Sequence, residues 1–311
     1  MDDKEIGGYF DLELYHGKEY YSSAIKLNSG RNALRYLIRQ YHIKKIWVPY
    51  YTCPIIHQVL EEEGCRVCFY HVAENLMPDV KFGNDFCLYT NYFGVCNANV
   101  RLLKNCKNLI LDNAQAFFCT SDVFASFNSP RKFFGVSDGS YLLCDTEKSL
   151  SIGQDYSSGR FSHLLKRLEY PASDGFGDFR RNEEVISTLP LKYMSRITEK
   201  VLSGISYDYV KKRRLENFNF LHENFFKIND LYLDIEDDIP MVYPLLIKQE
   251  NLREKLISSK IYIAKYWPDI EKYPLNSFEK KLQTNLLALP IDQRYTIDDM
   301  RKIVRVINES C

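Results

Sequence analysis

LILDNAQAF at residues 109–117 and FASFNSPRKFFGVSDGSYLL at residues 124–143 decide the fold. Leu109, Ile110 and Leu111 form a short run of large apolar residues, as in strands buried on both faces of a parallel sheet. Asp112 ends that run, at the carboxyl edge where open α/β sheets place their ligands. Taken alone it is better explained as a solvated turn or a helix cap. The second stretch opens on another apolar strand and turns into a loop carrying Lys132, with Phe133 and Phe134 beside it. Aromatic neighbours desolvate an ammonium, lower its pKa and free the amine for Schiff-base formation. A surface lysine next to Arg131 is again the plainer reading.

Around these stretches, residues 25–150 alternate strand-like and helix-like runs, the pattern of a mostly parallel sheet covered by helices. Ser29 is a good cap for a helix in which Ala33, Leu34, Leu37, Ile38 and Tyr41 recur at helical spacing. KKIWVP is a strand. TCPIIHQVLEEEG is a helix with Pro54 in its first turn and Gly64 as its stop. RVCFYHV, DFCLYT, NLILD, VFASF and SYLLC follow as five strands. Residues 153–190 mix Gly, Ser, Asp and aromatic residues and are expected to form a long ordered loop or one that orders on binding, as enzyme loops that close over substrates often do. Met194 to Phe226 is expected to be one long amphipathic helix, with KKRR at 211–214 on its solvated face. The remainder gives MVYPLLIK as a strand, NLREKLISSK as a helix, IYIAKYWP and LLALPID as two more strands, and a last helix capped by Thr296. The expected division is a large α/β domain over residues 1–228 and a small α+β domain over residues 229–311.

Lys and Arg number 41 and Asp and Glu 41, so the chain lacks the basic excess that binding to nucleic acid or an anionic membrane surface requires. The start, MDDKEIGGYFDLEL, is unlike a signal peptide, and no run approaches the roughly 20 apolar residues of a membrane span. A cytoplasmic protein is expected. Its nine cysteines are an odd count in apolar contexts, which favours reduced thiols over disulfides. Cys65 and Cys68 have the spacing of half a zinc site, but no second pair completes it, and no metal is expected. No G-x-G-x-x-G follows an early strand, which counts against a nicotinamide-binding fold.

The weak signals at Asp112 and Lys132 fit one arrangement. The chain resembles the DegT/StrS family of pyridoxal-phosphate sugar aminotransferases over almost its whole length. SGRNALRYL is similar to the family's SGT-x-AL, VPYYTCPIIHQVLEEEGCRVCFYHV to P-x-[YF]-T with its helix and strand, and NYFG to H-x-[YF]-G. DNAQAF is similar to D-x-AQA, SFNSPRKFFGVSDGS to SF…K…GEGG, and LALPID with TIDDM to the LP…L-T-x-x-D ending.

The resemblance implies the aspartate-aminotransferase fold, fold type I, with a mostly parallel seven-stranded sheet, and pyridoxal 5'-phosphate (PLP) as cofactor. It implies that Lys132 carries the cofactor and shuttles the substrate proton, that Asp112 pairs with the protonated ring nitrogen, and that Gln115 reaches the ring face or its phenolic oxygen. Gly30 and Arg31, at the start of the helix after Ser29, would seat the cofactor phosphate, since helix N-termini favour anions. Ser126 and Ser129 would add hydrogen bonds to it. Tyr51 would stack on the ring, although Tyr50 is an alternative and an ordinary core aromatic explains either. The implied reaction moves an amino group from an amino acid, glutamate above all, to a nucleotide-linked keto-sugar in a homodimer. A PLP-binding protein with a non-sugar substrate or a non-catalytic role is the alternative.

The chain also departs from the family's pattern. Arg31 stands where the family has Thr, and SDGS replaces GEGG while keeping Asp138 and Gly139. A gapless alignment would put Arg131 in the place of Lys132, and Arg cannot form the Schiff base. The Asn-bearing loop that reaches a partner's phosphate has no clear counterpart; Asn182 is the nearest candidate. Family members that act as dehydratases have His for the lysine, so Lys132 counts against that reaction.

Overall fold

The computed structural model describes residues 6–146 and 149–310. Its first strand, β1 (Ile25–Leu27), leads into α1 (Gly30–Tyr41), whose N-cap Ser29 accepts a hydrogen bond from the Asn32 amide at 3.2 Å. Then come β2 (Lys45–Pro49), α2 (Pro54–Glu62), β3 (Arg66–Tyr70), β4 (Phe86–Thr90), α3 (Asn97–Leu103), β5 (Leu109–Asn113), β6 (Ala125–Asn128) and β7 (Ser140–Cys144). These strands form one seven-stranded sheet in the order β1-β7-β6-β5-β4-β2-β3. The central strands β2 to β6 pair parallel, and β7 and β1 close one edge antiparallel.

One face of the sheet packs Leu88, Ile110 and Phe127 against Leu34 and Leu37 of α1 and Val59 of α2. On the other face Tyr89, Leu109 and Leu111 belong to a core that continues into the C-terminal part. Strand order reverses between β4 and β2, and that reversal opens a crevice at the strands' carboxyl ends. The turn Tyr92–Gly94 follows β4 at that end of the sheet. There Gly94 has φ 72°, and a Cβ on it would lie 2.6 Å from the Gln115 carbonyl oxygen, so glycine is required.

Residues 153–190 depart from the expected loop. They hold α4 (Ser162–Glu169) and α5 (Ala172–Thr188), packed on each other as a helical hairpin. The physical reason lies at Gly175, where a Cβ would meet the His163 carbonyl oxygen at 3.0 Å. The glycine lets two helices approach closely and does not mark a turn.

The expected long helix is two helices, α6 (Arg196–Ser203) and α7 (Tyr207–Phe225), because Gly204 ends the first. The KKRR run does not lie wholly in solvent either. Lys212 is exposed, but Arg214 is buried, donates to the Pro240 and Met241 carbonyls, and lies 4.4 Å from the centre of the Phe133 ring.

After α7 come β8 (Val242–Leu246), α8 (Leu252–Ser258), α9 (Ser277–Asn285), β9 (Leu286–Pro290) and α10 (Ile297–Asn308). β8 and β9 form a two-stranded antiparallel sheet. IYIAKYWP is not a strand of it, touching β9 only through a bridge from Ala264 to Ala288 before the chain bends at Trp267, φ 48°. Glu279 of α9 ties this part to the large sheet. Fully buried, it accepts the Val72 amide at 2.9 Å, lies 2.9 Å from His71 Nδ1, and closes a capping box with Asn276.

Among the described residues eight cysteines are free thiols, no cluster of His, Cys, Asp or Glu could hold a metal, and no helix is long and apolar enough to cross a membrane.

Candidate active site

The site lies where β5, β6, α1 and α2 converge. Asp112 pairs in register with Thr90 on one side and Phe127 on the other, so its side chain shares their face of the sheet, towards α1 and α2. It is 4% exposed and accepts the Ala114 amide at 2.9 Å. Burial pushes its carboxyl pKa up, and the charge of Lys132 opposes that rise. Lys132 itself is exposed on the 3-10 turn Pro130–Lys132, directly after β6. It makes no ion pair among the described residues.

At the start of α1, Ser29 takes the Asn32 amide on its side chain and the Ala33 amide on its carbonyl. Helix geometry leaves the Gly30 and Arg31 amides over for an anion. A Cβ on Gly30 would sit 3.6 Å from the Asn128 carbonyl, which brings this helix end against β6. Arg31 is half-desolvated; burial lowers its pKa, and its Nε is buried with no partner.

Sequence reasoning missed Cys53. It is the N-cap of α2, and its thiol feels Lys132, Asp112 and Arg31 together: burial pushes its pKa up, Lys132 and Arg31 pull it down, and Asp112 raises it. That mutual influence groups Arg31, Cys53, Asp112 and Lys132 in one place. The available signal was its position just ahead of Pro54, where a cap side chain overhangs a helix N-terminus.

The other candidates divide. Gln115 is buried; its Oε1 accepts the Phe93 amide at 2.7 Å while its Nε2 is buried with no partner. Ser129 begins the turn that bears Lys132. Ser126 pairs with Leu111, not with Asp112, and so belongs to the opposite face of the sheet. Tyr51 is wholly buried between Tyr92 and Trp267, with ring centres 5.8 and 5.0 Å away, and its hydroxyl has no partner. Tyr50 stacks on Phe69 at 4.7 Å. Asn182 is not on a loop: it sits on α5 and donates to the Ser137 carbonyl at 3.0 Å, within the same chain.

Arg131 and Lys132 face different surroundings. Arg131 pairs with Glu183 of α5, and burial pulls its pKa down to about 10. Asp138, in the SDGS turn, accepts the Ser195 amide and hydroxyl and the Thr198 hydroxyl, which fixes the start of α6.

No family model and no curated protein matches the sequence. Solved structures do resemble it. One is a DegT DnrJ EryC1 StrS aminotransferase from Brucella abortus, 14% identical over 92% of this chain and 85% of that one, with a TM-score of 0.63. A second is the sugar aminotransferase CalS13 from Micromonospora echinospora, 13% identical over 93% and 87%, TM-score 0.64. A third is a GDP-4-keto-6-deoxymannose-3-dehydratase with a trapped PLP-glutamate geminal diamine, 16% identical over 91% and 87%, TM-score 0.62. The chain has the fold of these proteins, the fold-type I architecture with its mostly parallel seven-stranded sheet.

Proposed function

We propose that the chain is a PLP-dependent aminotransferase that transfers an amino group from an amino acid, glutamate, to a nucleotide-linked keto-sugar. The observation that carries the reading is the placement of a buried carboxylate, Asp112, at the carboxyl end of β5 and of an exposed lysine, Lys132, on the turn after the neighbouring β6, with the α1 N-terminus against β6. The fold and the sugar-modifying enzymes that share it support the substrate class. We further propose a cytoplasmic homodimer, with residues 1–228 as the cofactor-binding body and 229–311 as the smaller part.

The residues present fit the cofactor. A ring nitrogen needs an acid that stays put, and Asp112 is held by the sheet and by the Ala114 amide. A phosphate needs amides and a cation, which Gly30, Arg31 and Ser129 supply around the α1 N-terminus. The phenolic oxygen needs a donor, and Gln115 Nε2 is buried and unused. Bound there, PLP supplies an electron sink for the charge that develops when the substrate loses its α-proton.

The protein's own residues do the rest. Asp112 holds a proton at the ring nitrogen. Burial disfavours its charge, so a cationic partner is what keeps it ionised. Lys132 has no ion-pair partner among the described residues and stands on a short turn, from which it can move a proton at the substrate carbon.

Titration with PLP tests the reading: wild type turns yellow and the colour changes on adding glutamate, while Lys132→Ala does neither. A wild-type protein that stays colourless would sink it. Retained colour with no response to any amino donor would leave a cofactor-binding protein without transamination.

A further inference from the structure

Two stretches carry clusters of large apolar side chains that the chain itself leaves uncovered. The first is the segment 6–15, where Ile6, Tyr9, Phe10, Leu12 and Tyr15 are between 67% and 98% exposed. Its root is built closely onto α6. A Cβ on Gly17 would lie 2.6 Å from the Ser203 carbonyl oxygen, one on Gly204 would lie 3.1 Å from the Tyr15 carbonyl oxygen, and Asp11 pairs with Lys200 at 2.9 Å. The segment is held in place, yet its aromatic side chains point away from the body.

The second is the α4–α5 hairpin, whose polarity is inverted. α4 buries none of its residues, and the buried stripe of α5 is Gly175, Asp178, Asn182 and Ile186. Leu165, Leu168, Tyr170 and Phe176 are instead between 53% and 84% exposed. Surface helices bury their apolar stripe; a pair that presents it marks a face covered by another molecule. Towards the body the hairpin borders a cavity of about 670 Å³ that Lys132, Phe133 and Arg214 also line.

The two surfaces are complementary in charge. Asp11 and Glu13 alternate with the apolar residues of the segment, and Lys166 and Arg167 lie between Leu165 and Leu168. Asp11 and Lys166 have ion pairs within the chain, whereas Glu13 and Arg167 have none among the described residues. A membrane is the poorer occupant, because Asp11 and Glu13 would face its anionic headgroups.

We propose that the partner is a second copy of this chain, and that in the homodimer the segment 6–15 of each protomer lies across the α4–α5 hairpin of the other. The exposed apolar area of one hairpin is on the order of 600 Å². Two-fold symmetry repeats the contact, so with the matching faces of both segments on the order of 2,000 Å² leaves water, the size class of a stable dimer. Glu13 then comes beside Arg167. The inference rests on the proposed homodimer and names the surface that makes it.

The test is sedimentation velocity of the full chain over a concentration series, joined to photo-crosslinking from a benzophenone side chain placed at position 10 in a mixture of isotopically light and heavy protein. Wild type dimerises, and crosslinks join light chains to heavy ones within residues 162–176. Phe10→Ser and Leu168→Glu each weaken the dimer at least about 10-fold. Both side chains are exposed, so neither change empties the core. Glu13→Lys and Arg167→Glu each weaken it about 3-fold, and the two together restore it. Amide exchange in α4 quickens on dilution to the monomer.

A dimer indifferent to Phe10→Ser and Leu168→Glu overturns this surface and leaves the homodimer standing, while a wild type that is monomeric throughout overturns both. Crosslinks confined to single chains would show the segment folding back on its own body, and capture on anionic vesicles that Phe10→Ser abolishes would show a membrane face; either overturns the proposal. PLP uptake, read by colour on the same samples, decides the proposed chemistry separately.

Discussion

The sheet edge that carries Asp112 and the hairpin that overhangs Lys132 are held in contrasting ways. Asp112 belongs to a strand paired on both sides and buried along its length. α4 and α5 pack mainly on each other and reach the body through polar contacts such as Arg131–Glu183 and Asn182–Ser137. Elements clamped by a sheet open only with global unfolding, while elements with few buried apolar contacts open locally. In the proposed reading, the chemistry that demands fixed geometry belongs to the first region.

The contrast can be broken first at Asp112. Asp112→Asn is expected to lower transamination at least about 10²-fold, the scale of losing one preorganised electrostatic partner. Without cofactor the same change is expected to stabilise. The folded-state pKa of Asp112 is raised, so stability falls as pH climbs from the unfolded value towards the folded one, and the penalty is full above it. Thermal melts should show the apo variant above wild type at neutral pH, with the gap closing in acid.

Arg214→Met sharpens the comparison from the cavity floor. It leaves the Pro240 and Met241 carbonyls without their donor and is expected to cost about 2 kcal/mol in urea unfolding, because this side of the cavity belongs to the rigid body. A variant as stable as wild type would move Arg214 to the mobile side.

Asp238→Asn probes the same body through titration. Burial pushes the Asp238 pKa up to about 6, and its Oδ1 accepts the Asn97 amide, a bond the amide oxygen can keep. The wild type loses stability between about pH 4 and 6 as this carboxyl ionises, so above that window the variant should be more stable, by about 1 kcal/mol. Equal stabilities at pH 4 and pH 8 would refute it.

The smallest effect is expected at Gly175→Ala. The new Cβ meets the His163 carbonyl oxygen, while alanine's helix propensity offsets roughly 1 kcal/mol. Global stability should barely move, yet amide exchange in α4 should quicken. A large fall in global stability would show that the hairpin is part of the cooperative core.

The sequence made the first region legible and the second not. Runs such as LILD and FCLYT are buried on both faces, as central strands of a parallel sheet are, although the last of the five runs, SYLLC, pairs antiparallel at the edge. Asp112 and Lys132 emerged only through their joint fit to the D-x-AQA and SF…K motifs, since each alone has a plainer reading at a strand end. The hairpin stayed hidden because Gly175 and Gly177 look like turn residues when their packing partners are unknown. IYIAKYWP misled for the opposite reason: its apolar residues fill the core around Trp267 and Ile270 without pairing as a strand. Cys53 carried no pattern of its own, and Arg214 was hidden within a charged run whose other members do meet solvent. Both depend on long-range contacts that periodicity does not encode.

Glu279 settles how the molecule can breathe. Swinging the C-terminal part away from the large sheet would strip that carboxyl of the Val72 amide and His71 at once and leave buried polar groups without their partners. That latch opposes a jaw-like parting of the two regions at this joint.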